Sequence, residues 1–196
     1  DSLTGTEGEQ QFSHRLQEKM QTLHYFQENP NLLQLTGAGK GRFSLSALYK
    51  TNQTAKTIVL ISHYDTVHVE EYGDNKDLAF QPNKLTSYFT EQKTRFSKEV
   101  QGDIESNDYL FGRGIMDMKI GLALHLQLLE KATVEKWPIN ILLVTVPDEE
   151  VNSAGMRAVI PTIAMLQEHH ELDIELFLNG EPSFSQYPGD ENYYLY

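Results

Sequence analysis

The sequence contains no cysteine, which excludes a disulfide framework and thiolate zinc ligation. Any metal ion must be held by His, Asp and Glu. There is no apolar run approaching about 18 residues, so no membrane-spanning helix is expected. Asp1 to Glu7 offers no basic region followed by an apolar stretch and does not read as a signal peptide. With the cysteine-free composition, this points to the cytosol. Positive charge is scarce: 16 Lys and Arg stand against 28 Asp and Glu, a formal net charge of -12. Phosphate backbones repel such a surface, so nucleic acid is not an expected partner. Part of that charge need not be surface charge, because carboxylates gathered at a metal site are neutralised by the ion.

What is present suffices for one sizeable core: 196 residues, 39% of them hydrophobic, read as a single domain. No internal repeat or low-complexity tract interrupts it. Phe12, Leu16, Met20, Leu23 and Phe26 recur at helical spacing, predicting an amphipathic helix over Gln10 to Gln27 that Asn29-Pro30 ends. Ser44 to Lys50 alternates as a strand, and Thr57 to Ser62 is a short β-branched run that reads as a buried strand. From about 69 to 108 the chain turns polar and irregular, as a functional loop would. A buried helix is expected from Met118 to Lys131, with Leu122, Leu126 and Leu129 on one side and Ala123 small enough to pack. A strand is expected at Ile139 to Val146, a helix capped by Ser153 and running to about His169, and strands at Ile174 to Leu178 and Asn192 to Tyr196. Strands alternating with long helices predict an α/β fold, a mostly parallel or mixed sheet with helices on both faces. Ligands of such sheets sit beyond the carboxyl ends of the strands.

The acids fall at those ends. One strand leads into His63-Tyr64-Asp65, the next into Pro147-Asp148-Glu149-Glu150, a third into Asn179-Gly180-Glu181, and Asp117 sits where Gly112-Arg113-Gly114 gives way to a helix. Carboxylates crowded at one edge repel each other unless divalent cations join them. Two ions suit one imidazole and four carboxylates better than one. The donor set fits zinc, and also manganese or cobalt. His63 and Asp65 are two apart and face the same way on an extended backbone, so Asp65 can orient the histidine. Glu149 and Glu150 are adjacent and diverge, so one can bind metal while the other takes a proton from water. His169-His170 is not expected to bind metal, since histidines suit a helix C-terminus. Arg113 could meet a substrate carboxylate or form a structural ion pair, and Lys119 is expected on the helix surface or beside an acid. The tyrosines near the end are expected to pack.

Ser62-His63-Tyr64-Asp65-Thr66-Val67, Gly112-Arg113-Gly114 with Asp117-Met118-Lys119, and Asp148-Glu149-Glu150 followed by Ser153 and Gly155 resemble the aminoacylase and carboxypeptidase-G family. That family includes succinyl-diaminopimelate desuccinylase and several di- and tripeptidases. The long stretch before Gly112 and the Asn179-Gly180-Glu181-Pro182 segment look most like its arginine-utilisation (RocB-type) branch. The resemblance implies a zinc-exopeptidase-like catalytic domain that hydrolyses short peptides or N-acyl amino acids. It implies that His63 ligates one metal, Asp117 bridges both, Glu150 ligates the second, and Glu181 joins His63 on the first. It makes Glu149 the general base and Asp65 the support of His63, and it implies a cis peptide at Asp117-Met118.

Two departures stand out. The 69–108 stretch reads as an insertion, and no His follows Glu181, where the family takes its last metal ligand. The family's lid or dimerisation domain, the basis for expecting a homodimer of the full-length protein, is absent as well. The sequence therefore reads as a fragment of a catalytic domain holding at most one well-formed metal position, through His63, Asp117 and Glu181. A non-catalytic ligand-binding or regulatory protein on the same scaffold is the alternative.

Overall fold

A computed structural model describes residues 1–182. Five strands form one mixed sheet in the order β1 (Leu33–Gly39), β2 (Arg42–Tyr49), β4 (Asn140–Val146), β3 (Lys56–His63), β5 (Asp173–Asn179). β1 and β2 form a hairpin, and β2 runs antiparallel to β4. β3 is parallel to both β4 and β5. β1 was not anticipated. Its Leu-Gln-Leu-Thr-Gly-Ala-Gly sequence carries two glycines and a register shift, so its strand character comes from pairing with β2 rather than from propensity.

Helices lie on both faces, as expected. Phe43 meets His14 of α1 (Glu7–Gln21) with ring centroids 5.0 Å apart, while the next residue, Ser44, donates its hydroxyl to Gly155 O in α6 (Ala154–His169). Adjacent strand residues point to opposite faces, so α1 and α6 sandwich the sheet. Tyr49, on the Phe43 face, meets Tyr25 of α2 (His24–Glu28) and donates its hydroxyl to Trp137 O, just beyond α5 (Ile120–Glu135). β4 lies between β2 and β3 and is buried along its whole length, as an inner strand covered on both faces should be.

Several boundaries differ from expectation. The first helix breaks at Thr22-Leu23 into α1 and α2, so the apolar spacing continues but the backbone does not. The 69–108 stretch is not a bare loop. It holds a 3-10 run (Glu70–Leu78) and two helices, α3 (Pro82–Glu91) and α4 (Lys98–Ser106), anchored by buried Leu85 and Ile104. In α5 the buried stripe is Gly121, Leu122, His125, Leu129 and Ala132. Leu126 is partly buried against the core, and Ala123 faces solvent. Ser153 lies in the left-handed region at φ 48° and makes no side-chain cap of α6. Asp148 does that work, accepting a hydrogen bond from Ala154 N–H at 3.1 Å. The strand expected at Asn192 to Tyr196 and the four late tyrosines lie outside the described residues. No helix among the described residues is long and apolar enough to cross a membrane.

Leu143 lies fully buried in β4. Leu143→Ala should cost on the order of 2–5 kcal/mol through lost burial and the cavity left behind. The urea midpoint reads this directly, and a change under about 1 kcal/mol would mean that the site collapses without cost.

Candidate metal centre

The site follows from the three parallel strands. His63 ends β3 and pairs with Val146, the last residue of β4, while Ile61 pairs with Asn179, the last residue of β5. Asp65, the Glu149-Glu150 pair and Glu181 therefore leave the sheet at the same edge. The turn after β4 is held close by Gly155, where a Cβ would come within 2.3 Å of Pro147 Cδ and 2.5 Å of its carbonyl oxygen. The turn after β5 is held by Gly121 at the start of α5, where a Cβ would meet Gly180 O at 2.0 Å. Only glycine permits that contact, and it sets Glu181 beside α5.

Asp117 reaches the same place by a different route. The backbone ahead of α5 is irregular, with Asp117 at φ -111°, ψ 102°, and the Asp117-Met118 peptide is cis, as the resemblance implied. Met118 is fully buried, and its sulfur accepts a hydrogen bond from His63 N–H at 3.0 Å. His63 Nε2 then lies 3.0 Å from Asp117 Oδ1, 3.3 Å from Glu181 Oε1 and 3.9 Å from Glu149 Oε2. Two groups of ligand atoms each converge within 4.8 Å: His63, Asp117 and Glu150 form one, and His63, Glu149 and Glu181 the other. The two adjacent glutamates thus fall in different groups, diverging as expected. Neither group includes His169 or His170, whose rings only meet edge to face at 4.8 Å.

Asp65 does more than steady the histidine. His63 Nδ1 lies 3.1 Å from the Asp65 carbonyl oxygen and 3.5 Å from Oδ1. The Asp65 carboxylate also accepts hydrogen bonds from Glu149 N–H at 3.0 Å, Glu150 N–H at 3.2 Å and the Thr4 hydroxyl at 2.9 Å. One buried carboxylate therefore fixes the loop carrying both glutamates.

A second support was missed from the sequence. Arg42 is buried and ion-paired with Asp148, while Glu9, fully buried, lies 3.7 Å from Arg42 and accepts from Asp148 N–H at 2.9 Å. A signal was available: Glu9 sits on the buried stripe of α1, with Ser13, Leu16 and Met20. An acid on that stripe calls for a buried partner. Arg113 resolves as a structural ion pair with Glu71. Of the two places expected for Lys119, it takes the one beside acids, near Asp65, Asp117 and Glu150, rather than the helix surface. It is half-buried, donates to Tyr64 O at 3.0 Å and lies over the Phe12 ring.

The electrostatics follow from this crowding. Burial pushes the His63 imidazole down, but its hydrogen bonds to the Asp117, Asp65 and Glu181 carboxylates outweigh it and carry the group up to about 12. Its bond to His63 holds the Asp117 carboxyl below the usual range, against burial. Burial and the surrounding acids raise Glu149 and Glu150. Burial lowers Lys119 to about 8, against the pull of Asp65, Asp117 and Glu150. An imidazole and several carboxylates converging on one small region are a donor set suited to a divalent cation, so the residues fit the expected metals.

Arg42→Met should leave the Glu9 and Asp148 carboxylates buried without their cation. Removing one partner of such a group costs on the order of 3–5 kcal/mol. Denaturation against the unsubstituted protein measures this, and a loss under about 1 kcal/mol would show that the cluster is not structural.

A family model for peptidase family M20/M25/M40 matches residues 59–189. The chain is 41% identical over 196 residues to the uncharacterized protein YqjN of Bacillus subtilis, covering 100% of the chain and 36% of that protein. It is 33% identical over 201 residues to protein RocB of the same organism, covering 100% of the chain and 35% of RocB. The chain thus spans about a third of the length of these curated relatives. Among solved structures, an M20 family metallo-carboxypeptidase, Sso-CP2 from Sulfolobus solfataricus, superposes with a TM-score of 0.60 at 18% identity, over 93% of this chain and 35% of that one. Human carnosine dipeptidase 1 gives 0.56 at 15% identity, over 94% and 36%. These two likenesses concern the fold, a mixed open sheet flanked by helices. The family match covers most of the chain, including all three strand ends that carry the cluster, and the chain belongs to peptidase family M20/M25/M40.

Proposed function

We propose that the protein of which this chain forms part hydrolyses the amide bond of short peptides or N-acyl amino acids with two divalent metal ions, zinc in the first place. The observation that carries this reading is the crowding of Asp117, Glu149, Glu150 and Glu181 around His63, in two overlapping groups of possible ligand atoms. By the resemblance, His63 and Glu181 would hold one metal and Glu150 the other, with Asp117 serving both. Metal ions held by these residues would supply a water of lowered pKa and a Lewis acid for the scissile carbonyl.

The chain's own residues supply the rest. Glu149 accepts the proton of the attacking water and returns it to the leaving amine. Burial raises its carboxyl above the ordinary value, the direction that makes it a stronger base. Glu150 is lifted too, so the base is assigned to Glu149 from the family motif rather than from acidity. Asp65 holds both glutamate amides and the His63 ring, fixing proton acceptor and ligands in one frame. A role in arginine breakdown is proposed from the resemblance to the arginine-utilisation branch, supported by the 33% identity to RocB. The activity is assigned to the whole polypeptide.

In the metal-loaded full-length protein, Glu149→Gln should lower kcat by at least about 100-fold, as expected for a lost general base, with metal content unchanged. Turnover near the original would refute the assigned role. Removing the metal with a chelator should abolish hydrolysis, and adding zinc back should restore it. Full metal occupancy with no hydrolysis of any amide tested would favour a binding protein on this scaffold instead.

A further inference from the structure

The 69–108 stretch contributes no residue to the metal-ligand groups, yet it builds most of a cavity of about 510 Å³. That volume suits a small organic ligand. One wall is aromatic. Phe89 packs edge to face on Phe96 and on Phe111, with centroids 5.3 Å apart in both cases, and Tyr88 lies beside it at 5.9 Å. Phe89, Phe96 and Tyr88 all line the cavity. Such rings present a rigid, largely apolar surface to a flat guest.

The charged lining is cationic, in a chain whose net charge is -12. Arg95 and Arg113 face it against one acid, Glu71. Arg113 is already engaged: it pairs with Glu71 and lies over the Tyr72 ring at 5.3 Å. Arg95 is different. The ion pairs of this stretch among the described residues are Arg113 with Glu71, Lys93 with Glu105, and His68 with Glu70 and Glu71, and none of them uses Arg95. An exposed guanidinium lining an aromatic cavity presents a planar fork matched to a carboxylate.

The cavity is tied to the metal centre. Arg113 lines it, donates its backbone N–H to Ala79 O at 2.8 Å, and stands four residues before Asp117 in the turn that delivers that ligand.

We infer that this cavity is a substrate subsite for an aromatic carboxylate, with Arg95 pairing the anionic group and Phe89, Phe96 and Tyr88 covering the ring. The inference rests on the hydrolase reading in one respect: the guest is taken to be one end of the amide substrate. A solvent-exposed ion pair alone contributes little. The ring burial beside it supplies the remaining affinity and selects against small aliphatic acids.

The test uses the metal-loaded full-length protein with benzoate, benzamide and benzylammonium as calorimetric probes. Benzoate should bind more tightly than benzamide by on the order of fivefold, the upper end of an exposed ion pair. Benzylammonium should bind least. Arg95→Gln should erase the preference for benzoate and leave benzamide affinity and metal content unchanged, and Arg95→Lys should restore part of it. Benzoate affinity unchanged in Arg95→Gln would place the acid on the metals and overturn the subsite, as would tighter binding of benzylammonium. The two readings fail separately. Arg95-dependent benzoate binding without hydrolysis of any amide removes the hydrolase and keeps the cavity, whereas hydrolysis with Arg95-independent binding removes the cavity alone.

Discussion

Mutual repulsion among the acids around His63 is the constraint to which the rest of the molecule answers. Asp117, Glu149, Glu150 and Glu181 share two groups of ligand atoms with one imidazole, and Asp65 stands behind them, fully buried. Bare carboxylates this close would raise one another's pKa or push the loops apart. The chain counters with local positive groups. The acidic neighbours of His63 favour a proton on its ring, which a bound cation would replace, Lys119 lies within reach of three of the acids, and the Glu149 and Glu150 amides turn toward Asp65. A divalent cation completes the same balance with greater charge density, the physical reason the cluster reads as a metal centre.

That balance needs accurate placement, and the fold supplies it in layers. Three parallel strands bring their carboxyl ends to one edge. Close backbone approaches at Gly155 and at Gly121 against Gly180 fix the turns that follow. Behind the glutamate loop, Glu9, Arg42 and Asp148 form a buried charge cluster that ties α1, β2 and the β4–α6 turn together. Such clusters contribute more to the uniqueness of a loop conformation than to net stability, because desolvation offsets much of their attraction. The cationic aromatic cavity of the 69–108 stretch lies beyond this frame, linked to it through Arg113.

Much of this was legible beforehand. Strand ends followed by His63-Tyr64-Asp65, Asp148-Glu149-Glu150 and Asn179-Gly180-Glu181 announced both the parallel strands and the edge where the acids gather, since apolar runs and acids stand out without tertiary knowledge. β1 did not announce itself, because a glycine-bearing strand is stabilised by its partner rather than by its own residues. Helices α3 and α4 were hidden because only Leu85 and Ile104 anchor them, too few to set a visible period. Of the two places expected for Lys119, the one beside acids holds, but its enclosure was hidden, because a lysine in a helical stretch is ordinarily solvated and nothing nearby in sequence shows that Tyr64 O and the Phe12 ring enclose it.

The sequence by itself determined the chemistry available: a donor set without sulfur, one histidine among acids, and the motif order that places the chain in its family. Tertiary structure decided which groups meet. Whether Glu149 and Glu150 share one ligand group or divide between two depends on the turn that Asp65 holds, and Asp65 lies more than eighty residues from them in the chain. Likewise, Arg42 became the partner of Asp148, and Arg113 rather than Arg95 became the partner of Glu71, through contacts between distant segments. Residue type limits which pairs are possible, and the packed backbone selects among them, because electrostatic and hydrogen-bond energies fall off within a few ångströms while sequence separation carries no such distance.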